Sequence, residues 1–429
     1  MTRLDDAFPT AERQKDFRAL VDFAAQSRVE TGFGYLLSNG VVDDKRPVEL
    51  WITCRMTHVF SLAHLLGFDG ARKLAAHGVH CLERGFEDPR YGGWFSAIEH
   101  SFGTDGRGVP VDDGKAAYAH AFVILAASSA SIADIAGARE LLDRALANQE
   151  EYWWESEAGK VRESFDRAFS HPEDYRGVNA NMHTTEAYLA AFDATDDITW
   201  LERALGILTW VIDQQARSMG WRVPEHFDAQ WNVLPNYNID KPKDPFRPYG
   251  FTPGHAFEWA RLAIHAGAQL HRIGRNIPEW IQPAARALVA QAAVDGWRAD
   301  GADGFVYTVD SQGQPITGER MHWVLCEALG AAATLARMLA GKDGYEAVAD
   351  NAFRAQLEES MGQWWAWAKE KLIEYPGQWF HELDTDNRPS TVTWPGKPDA
   401  YHIAQMHLLP DLPLAPTFAR AVRDGGIWQ

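Results

Sequence analysis

Apolar side chains return every three to four positions through most of the chain, which predicts α-helices, and the helical stretches come in pairs. Residues 49–66 pair with 70–84, 115–128 with 135–155, 180–194 with 198–217, 253–272 with 278–294, and 321–339 with 345–371. One helix, 10–28, precedes these pairs and one, 398–409, follows, which makes twelve. Several second members are amphipathic, with Arg139, Glu140, Asp143 and Arg144 marking a solvated face. First members such as 180–194 carry fewer charges. Pro253, Pro278 and Pro398 favour first helical turns. Six pairs with alternate helices more deeply buried predict an all-α (α/α)6 barrel, with an open α-solenoid as the alternative. No βαβ alternation argues for a parallel sheet.

Between the helices a glycine-plus-aromatic phrase recurs: Gly32-Phe33-Gly34-Tyr35, Gly93-Trp94-Phe95, Gly220-Trp221, Gly304-Phe305 and Gly377-Gln378-Trp379, with a weaker copy at Gly159-Lys160-Val161. Several copies run on into a turn and an extended stretch, as at Asp310 to Pro315 and Asp384 to Pro389, and read as short β-hairpins. The proline-rich stretch 241–248 is a loop without a shift in composition, so 1–429 is expected to form a single catalytic domain.

Charge narrows the function. Lys plus Arg number 41 against 59 Asp plus Glu, a net charge of −18, which disfavours nucleic acid and polybasic membrane attachment. No run has the length of a membrane span, and the first residues lack the apolar core of a signal peptide. Cys54, Cys81 and Cys326 are sparse and widely separated, which suits a reducing cytoplasm and gives no metal-site spacing. A hydrophobic content of 46% excludes disorder, and 18 tryptophans point towards a carbohydrate cleft.

In a barrel of this kind, one end of every inner helix faces the same cleft. The starts of the first members carry Trp51 and Arg55, Tyr118 and His120, Asn179, His183 and Glu186, His255 and Glu258, and His322, Trp323 and Glu327. The last helix adds Tyr401, His402 and Gln405. Histidine titrates near neutrality, so converging imidazoles suit acid–base catalysis. The pairs His183/Glu186 and His255/Glu258 place a carboxylate one turn from an imidazole, where it could fix a tautomer. Core histidines satisfied within the protein are the structural alternative. A metal site would need further carboxylates, of which Glu327 is the clear candidate, so no metal and no other cofactor is expected. Arg55, in a largely apolar helix, would either form an ion pair or stabilise an oxyanion. Gly92-Gly93 and the 103–106 turn lack the setting of a nucleotide loop.

The phrases ELWITCRMTHVFSLA, YGGWFSAI, NANMHTTEAYLAAF, TPGHAFEWARL, RMHWVLCEAL, GQWFHELD and GKPDAYHIAQ, which run in order from Glu49 to Gln405, resemble the N-acylglucosamine 2-epimerase superfamily, in particular its aldose–ketose isomerase branch. The resemblance implies a metal-free isomerase working on a monosaccharide through a cis-enediolate. It implies that His402 and His255 are the acid/base pair and that Glu258 supports His255. Arg55, Asn179 and His183 would hold sugar oxygens, and Trp51, Tyr118, Trp323 and Glu327 would line the cleft. D-mannose to D-fructose is the expected interconversion, with D-lyxose to D-xylulose beside it. Sulfoquinovose isomerisation and 2-epimerisation are the alternatives within the superfamily. For sulfoquinovose, the loop cations Arg222, Arg247, Arg388 and Lys397 could meet a sulfonate. A glycoside hydrolase, with Glu258 and Glu327 as opposed carboxylates, and a non-catalytic sugar- or protein-binding member are the more distant readings.

Overall fold

The apolar runs fold into helices that alternate between an inner and an outer ring. In a computed structural model, which describes residues 3–344 and 350–428, the helices are α1 (Arg3–Ala7), α2 (Thr10–Ala24), α3 (Leu50–Leu65), α4 (Ala71–Cys81), α5 (Ala117–Ile132), α6 (Ala138–Asn148), α7 (Val178–Thr195), α8 (Ile198–Leu208), α9 (Pro253–Arg272), α10 (Ile281–Gly296), α11 (His322–Leu339), α12 (Asn351–Trp367), α13 (Tyr401–Leu408) and α14 (Phe418–Gly425). The helices α3, α5, α7, α9, α11 and α13 pack side by side, and α13 returns to α3. This closed ring rules out an open solenoid. Each of α4, α6, α8, α10 and α12 lies outside the inner helix before it, and α2 lies outside α13.

Composition explains the sorting. The α5 sequence AYAHAFVILAASSASI is apolar or small all round, so it can be enclosed on every side. The α6 sequence ARELLDRALAN buries Leu141, Leu142 and Ala145 and turns its charges outward. The first and last repeats are joined by Asp16 on α2. Its carboxylate accepts from Gly377 N (2.7 Å) and Trp379 Nε1 (2.9 Å) and meets His407 Nε2 (2.8 Å). Gly377 has φ 75°, and a Cβ there would sit 2.2 Å from Leu20 N. Only glycine lets this hairpin rest on α2.

Very short strands lead into the inner helices and pair across repeats. Val48–Glu49 pairs with Ala97–Phe102, Lys115–Ala116 with Ser164–Phe165, Tyr175–Gly177 with His226–Asp228, and Arg320–Met321 with Glu382–Leu383. These pairings bring several helix N-termini to one rim. Hairpins form at Gly32, Gly159 and Gly377, and between Thr308–Val309 and Pro315–Thr317. Gly220-Trp221 forms no strand and lies in a turn where Trp221 has φ 68°.

Several expected boundaries move. α10 begins at Ile281, three residues beyond Pro278. α13 begins at Tyr401, because the Asp399 side chain accepts from Tyr401 N (2.8 Å) and starts the helix there. Four outer helices end in π-helical turns at Leu82–Phe86, Gln149–Trp153, Thr209–Ala216 and Ala368–Leu372. The expected start of helix 345–371 falls at 345–349, outside the described residues. α14, unforeseen in the sequence, closes the end of the barrel opposite the rim. Thr417 donates N–H and Oγ–H to Asp193 (both 2.7 Å), and Leu414 O accepts from His265 (2.8 Å).

Candidate active site

At the N-terminal ends of the inner helices lies a cavity lined by Trp51, Arg55, Tyr118, Asn179, His183, His255, Glu258, Trp323 and His402, among others. These are all the residues expected for catalysis and binding except Glu327. The two proposed acid/base histidines are built alike. His402 Nδ1 lies 2.7 Å from Glu327 Oε1, and His255 Nδ1 lies 2.9 Å from Glu225 Oε2. A carboxylate at Nδ1 draws the proton there and leaves the Nε2 lone pair for the cavity. Trp323 lies between the two rings, 5.1 Å from His255 and 5.7 Å from His402 by ring centres. It fits because residue 254 is glycine: a Cβ there would meet Trp323 at 2.4 Å.

Two expectations are corrected. Glu225, not Glu258, supports His255. His255 stands at the rim, within reach of the loop ahead of α9, whereas Glu258 lies one turn deeper and faces Arg261 (3.4 Å). Glu327 does not line the cavity but lies behind His402, with its other oxygen 3.4 Å from Arg261. Glu225 sits in the loop Val223-Pro224-Glu225-His226, which has no periodicity to single it out.

Beneath the cavity a fully buried guanidinium, Arg261, faces three carboxylates: Glu186 (3.6 Å), Glu258 (3.4 Å) and Glu327 (3.4 Å). One cation cannot balance three buried anions. Burial, then Glu327 beside it, pushes the Glu258 carboxyl well above its usual range against the pull of Arg261. Its Oε2 has no hydrogen-bond partner among the described residues, which suits a carboxylic acid at the cavity wall. Burial opposes the Glu186 anion, but His183, Arg261 and Tyr401 outweigh it. His183, Glu186 and Glu258, and likewise Glu258, Glu327 and His402, are close enough to share a metal ion. Arg261 already supplies a positive charge to all three carboxylates.

Arg55 donates to Asp399 Oδ2 (2.8 Å) and to Tyr118 Oη (2.9 Å), and its buried Nε has no partner among the described residues. Its ion pair and a cavity-facing role therefore coexist. Burial works against its charge, but Tyr118 and Asp399 more than offset this and raise its pKa. Burial pushes the His402 imidazole well below its usual value, opposed by Asp399 and reinforced by Arg55, so the ring rests neutral. Burial lowers His183 to about 4. His120 is a satisfied core residue, with Nε2 accepting from Trp94 N (3.1 Å) and Nδ1 on Ala116 O (2.8 Å). Tyr401 and Gln405 hydrogen-bond Glu186 and stand behind the site. Tyr307, Phe246, His322, His381, Trp394 and Asp399 also line the cavity. Of these, only His322 had stood out in the sequence as chemistry-bearing.

A closed double ring of helices with paired imidazole–carboxylate units at one rim defines an (α/α)6 barrel with a candidate acid–base site. The chain belongs to the N-acylglucosamine 2-epimerase family, whose profile matches residues 32–406. It is 46% identical to a D-mannose isomerase of Thermobifida fusca, covering 95% of this chain and 96% of that protein. It is 44% identical to a D-mannose isomerase of Pseudomonas cannabina pv. alisalensis, covering 94% and 93%. Among solved structures, a D-mannose isomerase superposes with a TM-score of 0.78 at 26% identity, covering 92% of this chain and 97% of that one. A cellobiose 2-epimerase from Spirochaeta thermophila shares the fold, with a TM-score of 0.73 at 18% identity and 93% and 96% coverage.

Proposed function

We propose that the protein is a metal-independent aldose–ketose isomerase that interconverts D-mannose and D-fructose, with D-lyxose as a further substrate. The observation that carries this reading is the pair of imidazoles, each with a carboxylate on Nδ1, whose free nitrogens address one cavity that also holds Arg55. Relatives named D-mannose isomerase over nearly the whole chain support the choice of sugar. His255 and the acid Glu258 move protons at the ring oxygen and O1 to open the pyranose. His402 Nε2 then takes the C2 proton, and Arg55 meets the charge that develops on O1 and O2. Delivery of the proton to C1, with the O2 proton passing to O1, gives the ketose. Asn179 and His183 hold other sugar oxygens, and Trp51, Tyr118 and Trp323 form the walls. The whole chain acts as one catalytic domain in the cytoplasm; its three cysteines are all free and buried.

A sulfonate is a poor fit. Arg222 pairs with Asp295, Arg247 with Glu173, Arg388 with Asp386 and Lys397 with Glu374, and none of the four lines the cavity. Hydrolysis is also disfavoured, because Glu327 lies behind His402 and does not line the cavity that Glu258 lines, so the two carboxylates do not flank a bond. The test is incubation of chelator-treated protein with mannose, fructose, glucose, lyxose and sulfoquinovose, with chromatography of the products. Mannose and fructose should interconvert at undiminished rate after chelation. Glucose as the main product from mannose would mean an epimerase. Activity lost on chelation and restored by Mn²⁺ would overturn the metal-free mechanism.

A further inference from the structure

His322 lines the cavity and is 3% exposed, yet none of the proposed steps uses it. Its ring is fixed from two sides. The His381 ring stacks on it at 3.9 Å between centres and 16° between planes. The His381 carbonyl accepts from His322 N (3.1 Å) and faces His322 Nδ1 at 3.3 Å. The strand pairing of Arg320–Met321 with Glu382–Leu383 sets this register.

A carbonyl oxygen can only accept, so Nδ1 carries the proton. In a neutral ring that leaves Nε2 as a bare acceptor, and Nε2 is buried without a partner among the described residues. Burial, opposed by Asp399, lowers the imidazole to about 4, so it stays neutral at working pH. The ring centre lies 6.5 Å from that of His402 with the planes at 83°.

We propose that His322 Nε2 is a substrate-binding acceptor that takes a hydrogen bond from a sugar hydroxyl away from C1 and C2. This rests on the isomerase reading and deepens it: the site selects sugars that keep a donor hydroxyl at one of C3, C4 or C6. An acceptor-only group at that place would meet no donor on His322.

The test compares wild type, His322→Phe and His322→Gln on D-mannose and its 3-deoxy, 4-deoxy and 6-deoxy forms. Phenylalanine keeps the stack on His381 but has no acceptor; glutamine restores one. Wild type should lose on the order of ten- to a hundredfold in kcat/KM on one deoxy sugar. His322→Phe should lose a similar factor on mannose and lose nothing further on that one sugar, and His322→Gln should recover part. An equal loss on all four sugars, or no loss, overturns the assignment. If wild type does not turn over mannose, the isomerase reading fails on its own. The same coupling is then read from the binding of the four sugars by calorimetry. Should His322→Phe not fold, His322→Gln against wild type carries the comparison.

Discussion

At the scale of single residues, the site uses one device twice: a carboxylate on Nδ1 and a lone pair on Nε2. Glu327 holds His402 and Glu225 holds His255. His402→Asn keeps a hydrogen-bonding group towards Glu327 but cannot take a proton from carbon. It should lower turnover by about 10²–10⁴-fold, the range for a general base, with an unchanged melting temperature. Retention of more than about a tenth of wild-type turnover would move the base to His255. Glu225→Gln acts through His255. An amide can still accept from Nδ1 but gives the imidazolium no counter-charge, so kcat should fall and its pH profile should shift while KM stays near wild type. A fall confined to stability would make Glu225 merely structural. The histidines were legible in the sequence because they open inner helices. Glu225 was not, because a loop delivers it from 30 positions away. The i, i+3 spacing that suggested Glu258 describes a helix face, not which of two layers a side chain enters.

At the scale of elements, the helices were legible because burial on one face or on all faces leaves a period in the sequence. The lead-in strands were not, since two or three residues carry no period and their partners lie in other repeats. The loop bearing Trp394 shows how such a short strand matters. Glu382, 1% exposed, accepts from the backbone N–H of Val392 (3.2 Å), Thr393 (2.7 Å) and Trp394 (2.8 Å). This anchors Trp394 at the cavity, 6.1 Å from Trp51 and 5.4 Å from Phe246 by ring centres. Glu382→Gln turns an amide NH₂ towards donors and loosens the loop. Steady-state kinetics should show KM for mannose raised several-fold with kcat little changed. A lowered kcat at constant KM would place the effect on the neighbouring His381 and His322 instead.

At the scale of the whole molecule, closure of the ring depends on α2, the first full-length helix in the sequence, packing outside α13, the last inner one. The sequence supplied both helices but not the Asp16 contacts that join them. The floor, closed by α14, was hidden for a different reason: eight residues after a proline-rich stretch are too few to show a helical period. That floor sets how the fold responds to acid. His58 and His265 line a small cavity beneath Arg261, against Phe418 of α14. His58 Nδ1 bonds Ser129 Oγ at 2.7 Å, and both Nε2 atoms are buried without partners among the described residues. Burial lowers each imidazole from 6.5 to about 4, with Arg261 adding to the effect at His265. The unfolded chain therefore takes up these protons first as pH falls. Stability is fully present above about pH 6.5 and is lost as pH drops towards 4, by up to about 1.4 kcal/mol per pH unit for each histidine. His183 and His322, each also lowered to about 4, add to the same slope. Denaturant midpoints measured from pH 7 to pH 4.5 should fall steeply in wild type. In a His58→Gln/His265→Gln variant they should fall less steeply over the same interval, whatever its starting stability. An unchanged slope would place the acid sensitivity elsewhere than in the floor of the barrel.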